Sequence, residues 1–584
     1  MWNLAFESYL ELFQGSLIHV NGFADDAALL LVGDNPNIMV NRMQLAINKT
    51  LEWGDQHGLA FSAPKTKVIL FHRKRELQHP RKLCMGNILL DFESDTRYLG
   101  ILLDEKLSFR AHLKHKIATT KHKLLKVRNS LGKLWGTQPH MLRWIYTCVI
   151  RPALTYGSLI WAKVVKTTWA QRDLQKLNRL FLMSFGAFRR STPTAGLEVM
   201  FHVQPLPQQI LNDACLGLAR TTPVERLAAV RQTDKSISGH RNLCWQLLDK
   251  HKLVLPSLDR IPLEFIWDRK YRLDKISLCE GKPPHRKKTA FDYTLYTDGS
   301  GLHNSFGAGL IVFRRETWAS HIIHEESFSL GETSSVFQGE VYAIKQAAMW
   351  IRTNCFYRNI AIYSDSKAAL MALDRAATIS KLEKETKQAL MLACEFNQIT
   401  LKWIKAHQGY LGNEKADDLA KAGSLQPNLV PDLPAVPVAT LKLQFKAIFV
   451  EEWQDYWSKL PTCRQTKQWF PAIDKKKSFD ALTLGRSRLS VLVQIITGHN
   501  FLKRHEALVN ENDDAECRLC LEDDETTFHV LAECPALAEP RMQVFGSTIQ
   551  AAPLQWTIQE LVSFVCRASI NHLFDPTGAL GSGL

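Results

Sequence analysis

The stretch from Tyr293 to Gly423 alternates strand-like and helix-like patterns, and acidic residues stand where those patterns break. Residues Tyr293 to Ser300 alternate β-branched and aromatic positions, which predicts a strand that ends in a turn at Asp298. Residues Ile360 to Ser366 repeat this pattern, with Asp365 directly after the apolar run. The spacing therefore predicts two carboxylates at the ends of two strands of one sheet.

Two further acidic residues belong to helical segments of the same stretch. Ser334 to Trp350 has the apolar spacing of a helix, and Glu340 lies at the head of its apolar stripe. A carboxylate facing the core is costly unless a cation or a proton compensates it. A final strand leads into a glycine-flanked loop that contains His407, and Asp417 follows in the next helix.

These four carboxylates have the chemistry of a site for hard divalent cations. Oxygen ligands without softer partners suit Mg²⁺ or Mn²⁺. Two such ions roughly 4 Å apart can activate a water molecule and stabilise the leaving oxygen of a phosphodiester. A single Asp of this kind is more often a helix cap or a turn residue. Four in this order, with a histidine before the last, favour a catalytic site.

The motifs Asp298-Gly299-Ser300, Glu340 on a helix, Ser364-Asp365-Ser366 and the segment from His407 to Asp417 resemble type-1 ribonuclease H. The resemblance covers residues 290–424 and implies a mixed five-stranded sheet with helices. It implies that Asp298, Glu340, Asp365 and Asp417 bind two Mg²⁺ ions, with Mn²⁺ as a substitute. It also implies His407 as a mobile group for proton transfer or product release, and an RNA–DNA hybrid as the substrate, whose RNA strand is cut.

A second resemblance lies near the N-terminus. Phe23-Ala24-Asp25-Asp26 precedes an apolar run, and Gly58 to Phe61 and Tyr98 to Ile101 follow it. Together they resemble the later palm motifs of reverse transcriptases in jockey-like non-LTR (LINE-type) retrotransposon polyproteins. That family's palm needs a third metal-binding Asp upstream, so we expect residues 1–105 to be a truncated palm. Asp25 and Asp26 would then be a remnant site that does not extend a primer.

The region that follows is strongly basic. The whole chain carries 73 Lys and Arg against 58 Asp and Glu, a surplus of +15, and no acidic residue occurs from Lys106 to Arg172. A charged run is usually a solvated helix face, but a long acid-free run in a basic chain favours a phosphate-binding surface. We therefore predict a helical thumb and connector at residues 106–280 that binds nucleic acid, followed by the basic segment Gly281 to Lys288.

A cysteine-rich cluster lies near the C-terminus. Cys517, Cys520, His529 and Cys534 are separated by two, eight and four residues, a spacing suited to tetrahedral Zn²⁺. The alternative is ordinary buried cysteines beside a surface histidine, and His499 could compete as a ligand. The gap of eight residues favours structural zinc over a nucleic-acid-binding knuckle.

These patterns predict a multidomain α+β and α/β protein. Its regions are a palm remnant (1–105), a basic thumb and connector (106–280), a ribonuclease H-like domain (290–424) and a helical C-terminal region with the zinc module (440–584). A proline-containing linker at Pro427 to Pro437 separates the last two. The N-terminus lacks a basic signal-peptide region and no apolar run reaches bilayer length, so we expect an intracellular protein, nuclear or cytoplasmic, without a membrane partner.

Two alternatives to a hybrid-cleaving enzyme stay open at this point. One is an RNA-directed DNA polymerase whose palm is completed upstream or in trans. The other is a non-catalytic nucleic-acid-binding protein that uses only its basic region and zinc module. Protein partners and oligomeric state are not predicted.

Overall fold

The computed structural model describes residues 2–72, 80–132, 135–221, 257–280, 291–316, 320–430, 434–510, 514–549 and 556–574. The predicted basic segment Gly281 to Lys288 lies outside these residues. Within the described residues, no helix is both long enough and apolar enough to cross a membrane. The chain divides into two compact units, one of residues Met1–Leu211 with Pro461–Leu584 and one of residues Asn212–Leu460.

The described strands are β1 (Ile18–Phe23), β2 (Asp26–Leu31), β3 (Leu83–Met85), β4 (Ile88–Leu90), β5 (Asp95–Tyr98), β6 (Ile101–Asp104), β7 (Glu264–Phe265), β8 (Arg272–Leu273), β9 (Tyr293–Leu302), β10 (Ser305–Arg315), β11 (Ser320–Gly331), β12 (Asn359–Ser364), β13 (Ala377–Thr378) and β14 (Gln398–Trp403). The α-helix Leu206–Thr221 crosses the boundary between the two units. The other α-helices with four or more residues in the first unit are Trp2–Glu11, Pro36–His57, Arg110–Asn129, Pro139–Ile145, Arg151–Thr155, Ser158–Trp161, Thr168–Leu182, Thr194–Met200, Arg464–Trp469, Lys475–Leu482, Arg486–Thr497, Lys503–Val509, Ala538–Phe545 and Ile558–Arg567. Those of the second unit are Lys275–Glu280, Val336–Asn354, Lys367–Asp374, Lys381–Ala393, Leu411–Leu425 and Val438–Lys459.

The first unit begins with the hairpin β1–β2, whose register pairs Phe23 with Asp26 across the turn. Its apolar side packs on the helix Pro36–His57, where Trp53 lies in the same core as Tyr9. Local signals explain this helix well. The Asn35 side chain accepts hydrogen bonds from the first backbone N–H groups, and Gly58 ends the helix in the left-handed region.

The described part of the first unit that follows β6 is mainly helical, as expected for the basic region. Its core stacks aromatic rings, with the ring centroids of Tyr146 and Phe181 3.8 Å apart and those of Phe185 and Phe201 4.6 Å apart. The C-terminal helices belong to the same unit, since the Ser478 hydroxyl donates a hydrogen bond to the Val199 carbonyl. Residues far apart in the sequence therefore share one core.

The second unit is a mixed sheet with the strand order β11-β10-β9-β12-β14-β8. The strands β11, β10 and β9 are antiparallel, and β12, β14 and β8 continue the sheet in parallel from β9. The helices Val336–Asn354 and Lys381–Ala393 bury their apolar sides in the core that the sheet also supplies. This is the ribonuclease H-like arrangement of sheet and helices expected from the sequence.

The sheet has six strands, and the prediction of five was wrong by one. The extra strand, β8, holds only two residues, and Thr400 and Leu401 of β14 pair with it. A two-residue strand has too few positions to show alternation in a sequence. It comes from a region that the sequence assigned to the thumb and connector, which the structure divides between the two units.

One further expectation needs correction. The strand β9 does not end at Asp298, because Gly299 to Leu302 continue to pair with β10 up to a tight turn. The described part of the proline-containing linker pairs with an earlier segment of the chain. Leu258 forms a bridge with Val436, whose backbone N–H donates to the Ser257 carbonyl. Pro431 of that linker lies outside the described residues.

Candidate functional site

Three of the four predicted carboxylates meet in the second unit. Asp298 lies within β9, Glu340 lies in the first turns of the helix Val336–Asn354, and Asp365 directly follows β12. One oxygen from each of the three lies within 4.8 Å of the others. The side chains of Asp298 and Glu340 are buried, whereas Asp365 is half-buried. The group therefore opens to solvent on the side of Asp365.

Glycines on the two central antiparallel strands let the acid-bearing helices approach the sheet. A side chain at Gly299 would collide with the backbone of Gly339 and Glu340. A side chain at Gly309, which is paired with Asp298, would collide with the backbone of Ala416 in the next acidic helix. The close approach that glycine permits is what places carboxylates from different elements side by side.

Burial makes the ionisation of these carboxylates cost free energy unless a positive charge lies nearby. It raises the pKa of Asp298 to about 8, with further increases from the nearby charges of Asp365 and Asp417. Burial also raises the pKa of Glu340 well above its usual value, and the charges of Asp298 and Asp365 act in the same direction. Carboxylates in such a site ionise together only if a cation offsets their repulsion. The oxygen-only donor set fits a hard divalent ion such as Mg²⁺.

Asp417 and His407 lie outside the group of three. Asp417 is half-buried on the helix Leu411–Leu425, where its carboxylate contacts Lys421 Nζ at 2.6 Å. It is close enough to Asp298 to raise the pKa of that residue. His407 is exposed, in the loop before the helix, with a left-handed backbone at φ 53°. The structure thus brings Asp417 near the cluster, whereas His407 is exposed and outside the group of three.

Two residues that the sequence analysis did not single out hold Asp365. The Asn413 side chain donates from Nδ2 to Asp365 Oδ2 at 3.2 Å, and Trp403 donates from Nε1 to the Asp365 carbonyl at 2.8 Å. Asn413 is buried, and its Oδ1 has no hydrogen-bond partner among the described residues. The available signal was helical spacing, because Asn413 lies four residues before Asp417 and shares its helix face.

The cysteine cluster forms a second compact donor group, in the first unit. Cys517, Cys520, His529 and Cys534 each offer an atom within 4.8 Å of the others. The Cys517 and Cys534 sulfurs lie 4.0 Å apart, and Cys520 Sγ lies 3.3 Å from His529 Nε2. Zn–S bonds of about 2.3 Å in a tetrahedron separate two sulfurs by about 3.8 Å. The four side chains therefore fit one tetrahedral zinc ion.

The predicted competitor His499 lies elsewhere. Its ring is packed against that of His505, with the centroids 5.0 Å apart, and it is not part of the four-residue group. Burial lowers the pKa of His499 to about 4. Burial and the neighbouring Cys517 raise the pKa of the Cys534 thiol to about 12, so an ionised Cys534 calls for a nearby cation.

Asp25 lies in the turn of the hairpin β1–β2 and Asp26 begins β2, and both are exposed. In the part of the chain that the structure describes, they do not join a third metal-ligating side chain. Ala24 in the same turn has a left-handed backbone at φ 54°.

The acid-free stretch presents its charge on the helix Arg110–Asn129. Six basic side chains of this helix are exposed, namely Arg110, Lys114, Lys121, Lys123, Lys126 and Arg128. Lys116 differs from them, because its Nζ donates to the Ala153 carbonyl at 3.0 Å. The exposed set forms a positive surface of the kind that contacts phosphates.

Comparison with known families matches residues 290–425 to the RNase H family. This span contains all four predicted carboxylates and His407. Two solved structures of bacterial and archaeal RNase H domains are also similar to it. RNase H1 of Halobacterium salinarum is 21% identical, with 22% of this chain and 96% of that chain covered and a TM-score of 0.19.

Curated relatives point to a mobile element. The chain is 25% identical over 210 residues to a putative 115 kDa protein of the type-1 retrotransposable element R1DM of Drosophila melanogaster, covering 35% of this chain and 20% of that protein. It is 21% identical over 220 residues to a Pol polyprotein of element R1 of Nasonia vitripennis, covering 37% and 65%. A ribonuclease H of Desulforamulus reducens is 27% identical over 158 residues, covering 24% and 93%. The chain thus spans about a fifth of the length of the R1DM relative.

Proposed function

We propose that this chain, which carries an RNase H domain at residues 290–425 and is homologous to Pol polyproteins of R1-type non-LTR retrotransposable elements, cuts the RNA strand of RNA–DNA hybrids. The observation that carries the proposal is the cluster of Asp298, Glu340 and Asp365 inside the matched span. Joint ionisation of these carboxylates is costly without a cation, and oxygen-bound divalent cations are what phosphodiester hydrolysis uses.

The roles of the acidic residues follow from their positions. Asp298, Glu340 and Asp365 would hold Mg²⁺, with Asp417 completing the set from the neighbouring helix. Bound divalent ions supply an activated water molecule and stabilise the leaving 3′-oxygen of the phosphodiester. Asn413 and Trp403 keep Asp365 in a single orientation through its carboxylate and its carbonyl.

His407 has a role consistent with its exposed position. Its loop contains Gly409 with φ 76°, and the histidine faces solvent rather than the core. A side chain in such a loop can move between the reacting group and water. We assign His407 to proton transfer or product release at the edge of the carboxylate cluster.

The first unit would bind nucleic acid and contain structural zinc. The exposed basic residues of the helix Arg110–Asn129 offer a sequence-independent grip on phosphates. Cys517, Cys520, His529 and Cys534 would hold one Zn²⁺, whose binding would supply folding free energy to this region. Asp25 and Asp26 remain a palm-like pair for which we propose no polymerase activity in this chain.

The test is cleavage of an end-labelled RNA–DNA hybrid in Mg²⁺, beside single-stranded RNA, double-stranded RNA and double-stranded DNA. We expect cleavage of the RNA strand of the hybrid alone, with 5′-phosphate and 3′-hydroxyl ends. His407→Ala should slow turnover by about 10²–10⁴-fold, as expected for a lost acid–base group. Tight binding of the hybrid without any cleavage would favour the non-catalytic binding protein instead.

A further inference from the structure

Arg541 is a buried cation next to the cysteine cluster. It lies on the helix Ala538–Phe545 and is fully buried. Its Nε donates to the Thr548 carbonyl at 2.6 Å, its Nη1 reaches the Val530 carbonyl at 3.5 Å, and its Nη2 donates to the Cys534 carbonyl. All three partners are neutral backbone groups. Among the described residues, no carboxylate forms an ion pair with Arg541.

A buried guanidinium needs compensating charge. Arginine keeps its proton in proteins, so it cannot escape the cost of burial by becoming neutral. Carbonyl dipoles offset part of that cost, but a buried charge without an opposite charge stays unfavourable. Such a residue in a folded core therefore indicates an anionic group close to it.

The other charges around the cluster are already balanced. Arg518, between the first two cysteines, contacts Glu525 at 2.5 Å, and Glu525 is fully buried. The backbone N–H groups of Lys503 and Arg518 also donate to Glu525. Glu533 is exposed, where water screens its charge. Among the described residues, Cys534 and Glu533 both raise the pKa of Arg541, and of these two Cys534, in the cysteine cluster, is the buried one.

A zinc centre with this ligand set has that charge. Three thiolates and one neutral imidazole around Zn²⁺ leave a net charge of −1, because the metal holds its cysteines deprotonated. We propose that Arg541 is the counter-cation of this centre, and that its guanidinium balances the surplus negative charge of the three bound thiolates. This inference rests on the zinc binding proposed above.

The hydrogen bonds give Arg541 a positioning role as well. The ligand His529 begins the helical turn His529–Glu533, and the ligand Cys534 directly follows it. Arg541 contacts the carbonyl of Val530 near the start of that turn and the carbonyl of Cys534 at its end. One guanidinium therefore spans the turn that sets the distance between two ligands. Partners of this kind, outside the ligands themselves, tune metal affinity.

The two roles predict opposite effects in the two metal states. With zinc bound, replacing Arg541 by a neutral residue removes a favourable charge pair and loosens the ligand turn. With zinc removed and the thiols protonated, the same replacement removes an uncompensated buried cation. Arg541→Met should therefore weaken zinc binding while making the zinc-free protein more stable or leaving it unchanged.

The experiment uses the full chain loaded with zinc. Zinc affinity is measured by competition with a chelator, and Co²⁺ substitution reports on the thiolate ligands through its absorption spectrum. Arg541→Met should weaken zinc binding by about 10–100-fold, the range seen when partners of metal ligands are lost. Arg541→Lys keeps the positive charge but cannot contact both carbonyls at once, and should lose less zinc affinity than Arg541→Met.

Arg486→Met is the matched control. Arg486 is also buried in the first unit and also donates to backbone carbonyls, those of Gly132 and Ser184, away from the cysteine cluster. Its replacement should leave zinc affinity unchanged, whatever it does to stability. The free energy of unfolding is measured for each variant with zinc and after chelation.

Three results would overturn the proposal. Unchanged zinc affinity in Arg541→Met would do so, as would an equal loss of stability with and without zinc, which would make Arg541 a packing residue. An equal loss of affinity in Arg486→Met would assign the effect to general destabilisation. A wild-type chain that retains no zinc and shows no Co²⁺–thiolate absorption would remove the zinc proposal itself, and is distinguished by the metal content before any variant is compared.

Discussion

The hairpin β1–β2 and the carboxylate cluster of the second unit start from the same local pattern and end differently. In both, an aspartate stands beside an apolar strand, Asp26 at the start of β2 and Asp365 after β12. Asp25, in the turn, and Asp26, directly after it, are both exposed. Asp298 and Glu340 are buried, and their oxygens lie within 4.8 Å of each other and of Asp365.

The difference lies in what the surrounding elements contribute. A two-stranded hairpin presents its turn to water, so its acidic residues have no need of a cation. In the second unit, a helix delivers Glu340 against the strand that carries Asp298, and glycine at position 299 permits the approach. A carboxylate motif becomes a metal site when other elements add carboxylates to it and remove water from it.

The largest effect that we expect from a test of this comparison is on the rate of hybrid cleavage. Asp298→Asn or Asp365→Asn should reduce hybrid cleavage by about a thousandfold or more, because lost metal binding removes several kcal/mol of transition-state stabilisation and each ~1.4 kcal/mol is tenfold. The measurement is the single-turnover rate on a labelled hybrid in Mg²⁺.

The matched control lies in the hairpin. Asp25→Asn and Asp26→Asn remove the same charge from exposed positions and should leave the cleavage rate unchanged. Full activity in Asp298→Asn, or a comparable loss in Asp26→Asn, would mean that the two acidic motifs have been assigned the wrong roles.

A smaller effect is expected on hybrid binding, to which the first unit should contribute most of the affinity. Replacing Lys121, Lys123 and Lys126 with alanine should make the log–log dependence of hybrid affinity on salt shallower by about 2–3, since each neutralised phosphate contributes about 0.9 on duplex DNA. Binding is measured with catalytically inactive Asp298→Asn as the background, so that the substrate stays intact.

A control triple variant tests whether the location of the charge matters. Lys442, Lys446 and Lys459 are exposed on the helix Val438–Lys459 of the second unit. Their replacement removes the same number of charges outside the acid-free stretch and should change the salt slope less. Equal slopes for the two triple variants would show that the basic helix contributes only general positive charge.

The smallest expected effect is on the pH dependence of stability, through a buried acid outside both metal-binding groups. Glu198 in the first unit is buried, and Asn178 donates to it from Nδ2 at 2.6 Å. Burial raises the pKa of Glu198 to about 8, whereas its usual value is 4.5. The stability linked to its protonated form is fully present below pH 4.5 and is lost as the pH rises through about 8.

Glu198→Gln keeps an oxygen that can accept from Asn178 and cannot ionise. We expect the free energy of unfolding of this variant to fall less between pH 5 and pH 8 than that of the wild type, by at most a few kcal/mol. At pH 4 the two proteins should differ little, which serves as the internal control. Parallel pH profiles would show that Glu198 is already ionised in the folded protein.

The sequence alone determined the features that depend on short spacing. The order of Asp298, Glu340, Asp365, His407 and Asp417 indicated the RNase H domain, and the family comparison matched that span. The alternating patterns predicted the helices and strands that carry these residues, because periods of 2 and 3.6 are visible within a dozen residues. The spacing of the cysteines indicated a metal site for the same reason.

Tertiary structure decided the features that join distant residues. Asn413 reaches Asp365 across 48 residues, β8 joins the sheet through two residue pairs, and Arg541 reaches a ligand turn from a different helix. None of these contacts can be recognised from a sequence period or motif, since each depends on how separate elements pack. In the sequence, Asp25 and Asp365 have similar surroundings, because each lies close to an apolar strand. Only burial separates them, because the cost of removing a carboxylate from water arises when other elements cover it.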